Sequence, residues 1–110
     1  MKNILFICSA NVDRSKTAEI FYTEKIPSLN FKSAGTNQEL CRKAGSNALI
    51  QKDLDWADMA LVMETKHLKW IQANLKVGKG IIEVLNISDT YKYYSRELIE
   101  MFQRVCPRFF

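Results

Sequence analysis

The chain has 110 residues, 47% of them hydrophobic and 25% charged, which fits one small domain spanning residues 1–110 with a modest core and no second domain. No apolar run approaches the ~20 residues that cross a bilayer. Only Lys2 precedes the first apolar run and no small-residue cleavage site follows it, so no membrane partner is expected and the expected location is the cytoplasm. The net charge of +4 is interspersed with Glu and Asp, without a basic run or base-reading motif, so no nucleic-acid partner is expected and the excess charge suits small anions.

The elements alternate strand and helix along the chain. An apolar run, Asn3 to Ile7, reads as a buried strand, and Ala18, Phe21 and Tyr22, spaced three and four apart, place a helix over Ser15 to Lys25. Pro27 ends that helix by disfavouring helical geometry at Ile26. A strand over Asn30 to Ser33, a short helix over Ala44 to Ile50 and a turn over Lys52 to Trp56 follow. Beyond them come strand Met59 to Met63, helix Lys66 to Leu75, strand Gly80 to Leu85 and helix Ser95 to Val105, with Gly78 and Gly80 suited to the turn and Ser95 to an N-cap. Such alternation implies an α/β architecture, an open parallel sheet with helices on both faces. Lys66, Lys69, Lys76 and Lys79 make a lysine stripe around one helix end, which reads as solvated surface.

Chemistry concentrates between the first strand and the first helix, in Cys8-Ser9-Ala10-Asn11-Val12-Asp13-Arg14-Ser15. A tight loop with inward N–H groups, followed by a helix N-terminus, makes an anion site. No proline interrupts the loop, so every N–H stays free, and Asn11 tolerates the left-handed backbone that such a nest requires. Helix N-termini and guanidinium groups favour the thiolate form of a cysteine, which makes Cys8 a candidate nucleophile. Arg14 is suited to gripping two phosphate oxygens at once. The competing reading is a buried structural cysteine with a surface arginine nearby. Cys41 and Cys106 read as lone buried thiols, and three cysteines without a CxxC pair, beside one histidine, indicate neither a disulfide framework nor a structural metal.

Cys8, Asn11, Arg14 and Ser15 fit a Cys-x-x-Asn-x-x-Arg-Ser pattern that resembles the signature of low-molecular-weight protein tyrosine phosphatases. Ser33-Ala34-Gly35-Thr36 resembles the segment after that family's second strand, Trp56 to Glu64 its third strand and following acid, and Ile87-Ser88-Asp89-Thr90-Tyr91 its acid loop. The chain is most similar to a short bacterial branch of predicted phosphatases. This resemblance implies a four-stranded sheet of order 2-1-3-4 with the phosphate loop after strand 1. It also implies hydrolysis of phosphate monoesters through a cysteinyl-phosphate without metal or cofactor. Cys8 would be the nucleophile, Arg14 the oxyanion clamp and Asp89 the general acid and base, with Ser9, Ala10, Asn11, Val12, Asp13, Arg14 and Ser15 around the phosphate. Ser15 would donate to the Cys8 sulfur, and a ring at Tyr91 would favour phosphotyrosine over phosphoserine. Implied partners are a phosphotyrosine protein or small phosphate monoester, with inorganic phosphate or other oxyanions as ligands.

Three positions depart from the family pattern: Ala10 replaces a common glycine, Asp13 a second cysteine, and Thr90 the acid-loop proline. Two other functions stay open on the same loop: a non-catalytic phosphate or phosphoprotein-binding module, and a thiol-dependent arsenate reductase, which needs further cysteines placed to relay a disulfide.

Overall fold

A computed structural model describes residues 2–78 and 80–110, so Met1 and the Lys79 member of the lysine stripe lie outside the described residues. The first strand, β1 (Asn3–Cys8), is followed by α1 (Arg14–Lys25) and β2 (Asn30–Gly35), then by α2 (Gln38–Ala44) and α3 (Gln51–Trp56). The remainder is β3 (Met59–Val62), α4 (Thr65–Asn74), β4 (Ile81–Val84) and α5 (Arg96–Val105), with a closing 3₁₀ turn over Pro107–Phe109. All four strands run parallel in the order β2-β1-β3-β4, as the resemblance implies.

Ile4, Leu5, Phe6 and Ile7 are wholly buried because β1 lies inside the sheet with both faces covered. Ile4, Phe6 and Cys8 pack with Ala18, Phe21 and Tyr22 of α1 and Leu98 and Phe102 of α5. Leu5 and Ile7 face the other way, toward Leu54 of α3 and Ile71 of α4. Each such side chain contributes roughly 1.5–3 kcal/mol of burial, so β1 is the strand the molecule is least able to lose. α1 stops at Lys25, where the Ile26 N–H makes the last helical bond to Tyr22 before Pro27. Gly80 has no room for a side chain, since a Cβ there would lie 2.8 Å from the Ala57 carbonyl oxygen.

The expected helix over Ala44 to Ile50 is corrected: the helix lies earlier, over Gln38–Ala44, and the following residues run extended. Asn37 Oδ1 caps its start by accepting the Leu40 N–H at 3.0 Å, and Gly45, at φ 67°, ends it in the left-handed region. The extended residues bond instead to Gly35, whose N–H donates to the Asn47 carbonyl and whose carbonyl accepts the Leu49 N–H, both at 2.8 Å. The expected turn over Lys52 to Trp56 is the short helix α3. Strand order reverses between β1 and β3, and open α/β sheets bind ligands at the carboxyl ends of strands beside such a reversal. Cys8 is the last residue of β1 and sits at that end. Among the described residues no helix is long and apolar enough to cross a membrane.

Candidate active site

The loop from Cys8 to Arg14 is held from outside by its carbonyl groups. Thr36 N–H donates to the Cys8 carbonyl at 2.9 Å and Asn37 N–H to the Ser9 carbonyl at 3.0 Å. The Ala10 carbonyl accepts from Ser46 Oγ at 2.5 Å and from Cys41 Sγ at 3.5 Å. Among the described residues, by contrast, no acceptor within the chain takes the backbone N–H groups of Ser9 to Asp13. Free N–H groups gathered ahead of α1 are what an anion nest requires. Asn11 is buried at φ 55°, the left-handed conformation expected of it, and it braces the turn from both ends of its amide. Its Oδ1 accepts the Asn47 N–H at 3.0 Å and its Nδ2 donates to Ser15 Oγ at 2.8 Å.

That donation decides what the Ser15 hydroxyl does. With Asn11 feeding its oxygen, the hydroxyl proton is left to donate onward, and the nearer acceptor is Cys8 Sγ at 2.9 Å rather than the Ala34 carbonyl at 3.4 Å. A donor aimed at sulfur stabilises the thiolate. Cys8 is 3% exposed, in reach of the loop but shielded from bulk water.

Arg14 is buried in the first turn of α1, and its guanidinium is held along one edge. Nη1 donates to Glu64 Oε2 at 2.5 Å and to the Ile87 carbonyl at 2.8 Å. Nε is buried without a hydrogen-bond partner, an expensive condition for a cationic donor. Asp89 Oδ1 lies 3.4 Å from that nitrogen, a charge contact without a formed hydrogen bond. The Glu64 carboxyl is held below the usual range, first by the Arg14 hydrogen bond. His67 closes the network: its Nδ1 accepts the Glu64 N–H at 3.0 Å, so the ring proton resides on Nε2, which donates to Ser9 Oγ at 2.9 Å. Burial, and then the Arg14 charge, push His67 down to about 4.

The fold thus brings Cys8, Arg14, Ser15, Asn11 and Asp89 into one network of contacts. Asp13 heads α1 half-exposed, with its side chain making no cap bond, while its carbonyl accepts the Thr17 N–H. Val12 is exposed beside the loop. Tyr91 is half-buried against the core, and the tyrosine that reaches the cleft is Tyr93, which with Asn11, Val12, Lys16, Ser46 and Asn47 lines about 450 Å³. Sequence reasoning missed Ser46, Asn47 and His67, and gave Glu64 no role. Only the last pair had a local signal, an acid and a side-chain acceptor three residues apart at a helix start.

This combination of sheet order and strand-end loop is the fold of the low-molecular-weight protein tyrosine phosphatases. No family model matches the chain, and no curated protein matches it in sequence. Among solved structures it is similar to the tyrosine phosphatase Wzb from Escherichia coli K30 in complex with phosphate, at 21% identity and a TM-score of 0.77 over 98% of this chain and 95% of that one. It is also similar to Wzb of Vibrio vulnificus in complex with benzylphosphonate, at 22% identity and a TM-score of 0.74 over 94% and 91% of the two chains. The YwlE arginine phosphatase from Geobacillus stearothermophilus matches at 23% identity and a TM-score of 0.62, over 96% and 83%.

Proposed function

We infer that the protein is a cysteine-dependent phosphatase that hydrolyses phosphate monoesters without a metal, with protein phosphotyrosine as the substrate class. The observation that carries this reading is the convergence at one strand end of the Cys8 sulfur, unbonded loop N–H groups and a buried Arg14 Nε lacking a partner. Phosphate oxygens are the acceptors those donors lack. The bound phosphate of the E. coli Wzb and the bound benzylphosphonate of the V. vulnificus Wzb support a tetrahedral oxyanion, and the second an aryl group beside it. Tyr93 and Val12 offer such a ring apolar contact in the neighbouring cleft.

The Cys8 thiolate attacks phosphorus in line with the leaving oxygen, while Arg14 and the loop amides hold the equatorial oxygens. Asp89 gives its proton to the departing phenoxide. A water then attacks the cysteinyl-phosphate, Asp89 takes its proton, and phosphate leaves as the Ser15 hydroxyl stabilises the released thiolate. Hydrolysis of p-nitrophenyl phosphate by wild type and Cys8→Ser, from about pH 5 to about pH 8 with vanadate as competitor, tests this. Turnover that vanadate blocks and the variant lacks is the expected result. Phosphate binding without turnover would instead make the protein a binding module, and a disulfide formed on arsenate addition would make it a reductase.

A further inference from the structure

The acid-bearing segment is hung between two attachments, and both reach the first turn of α1. At its near end the Ile87 carbonyl accepts Arg14 Nη1 at 2.8 Å, and the Ile87 N–H donates to Met63. At its far end the Tyr94 N–H donates to Thr17 Oγ1 at 2.8 Å, a hydroxyl on a side chain with no solvent exposure. Between them, Asp89 makes a charge contact with Arg14 Nε and Tyr91 packs on the core, but among the described residues the one hydrogen bond joining residues 88–93 to the rest of the chain is the local turn bond from the Ser95 N–H to the Lys92 carbonyl at 3.1 Å. Ser88 and Thr90 bond only to each other, at 3.0 Å, and no proline stiffens the stretch. The chain turns sharply at both ends, with Asn86 at φ 59° and Tyr94 at φ 52°. Non-glycine residues occupy that region only when surrounding contacts hold them there.

We propose that Thr17 is a positioning residue for the general acid: by accepting the Tyr94 N–H it fixes the far end of the Asp89 segment to the same helical turn that carries Arg14. The proposal rests on the phosphatase reading. Without the hydroxyl, the next firm attachment after Ile87 is α5, whose Ser95 cap and buried Leu98 anchor the chain. Asp89 then belongs to a longer, looser closure.

The test compares wild type, Thr17→Val and Thr17→Ser by kcat/KM on two substrates. Nitrophenolate departs readily without a proton, whereas the phenol of phenyl phosphate, with a pKa of about 10, needs one. Thr17→Val is expected to lose about tenfold more on phenyl phosphate than on p-nitrophenyl phosphate, in the direction of Asp89→Asn, and Thr17→Ser to restore the wild-type ratio. Equal losses on both substrates, or none, would overturn the proposal while leaving the phosphatase reading intact. A wild type inert toward both would overturn the reading and the proposal with it. Amide hydrogen exchange gives an independent check: Thr17→Val should speed exchange of the Tyr94 amide and leave 96–105 unchanged, and an unchanged Tyr94 amide would also overturn the tether.

Discussion

Ser15 shows how much of the chemistry rests on the direction of a single proton. Its oxygen receives Asn11 Nδ2 at 2.8 Å, and this leaves the hydroxyl proton for the Cys8 sulfur at 2.9 Å. Hydrogen bonds to charged groups are worth about 1.5–3 kcal/mol, so Ser15→Ala should lower kcat roughly ten- to a hundredfold. Under the proposed mechanism phosphate binding draws chiefly on Arg14 and the loop amides, and so should fall much less. Steady-state kinetics with inorganic phosphate as competitor separates the two quantities; an unchanged kcat would remove Ser15 from the thiolate's support. Arg14 makes a related point about legibility. Its spacing from Cys8 is readable, but the partners that orient it, Glu64 and the Ile87 carbonyl, arrive from the segments that follow β3 and β4, remote in the chain. No local pattern announces them.

At the scale of elements, the strand, loop and first helix were legible because each has its own local cause: an apolar run, a proline-free turn and a three-four apolar spacing. The misplaced second helix had weaker causes. Only Cys41 of α2 is buried, so the helix has no apolar stripe to read, and it depends on its Asn37 and Gly45 caps. Ala48, Leu49 and Ile50 fall in the expected helix, yet Leu49 is buried in extended backbone whose N–H pairs with Gly35, a bond that periodicity does not express. Gly35 is where this arrangement is least forgiving. A Cβ there would lie 2.4 Å from the Ser9 carbonyl oxygen, 2.5 Å from Cys41 Sγ and 3.0 Å from the Asn11 nitrogen. Two of these are loop backbone atoms, which move only if the anion nest deforms. Gly35→Ala is therefore expected to cost about 1–3 kcal/mol in urea unfolding and to abolish most turnover of p-nitrophenyl phosphate. A variant with wild-type activity would show that the loop tolerates displacement there.

For the whole molecule, buried titratable groups set the pH range in which the fold is most stable. Cys106 is buried among Phe102 and its neighbours, and burial pushes its thiol up to about 12. Its contribution is complete below the ordinary thiol range and fades as pH rises through and above it. His67 acts at the acid side. It is 1% exposed and held neutral, with its folded value near 4 against an ordinary 6.5, so the unfolded chain binds the proton more readily. Its stabilisation is therefore present above about pH 6.5 and is lost progressively as pH falls toward about 4, below which its loss is complete. Between about pH 7 and about pH 5 this amounts to roughly 2 kcal/mol, a window that lies above most of the Glu64 titration. The ring joins Glu64, at the head of α4, to Ser9 in the loop after β1, so protonation of Nδ1 breaks the bond from the Glu64 N–H and loosens the site and the fold together. Urea unfolding at the two pH values should show that loss in wild type and a much flatter dependence in His67→Gln, which cannot titrate. Parallel pH dependence in the two proteins would show that His67 is not the group responsible.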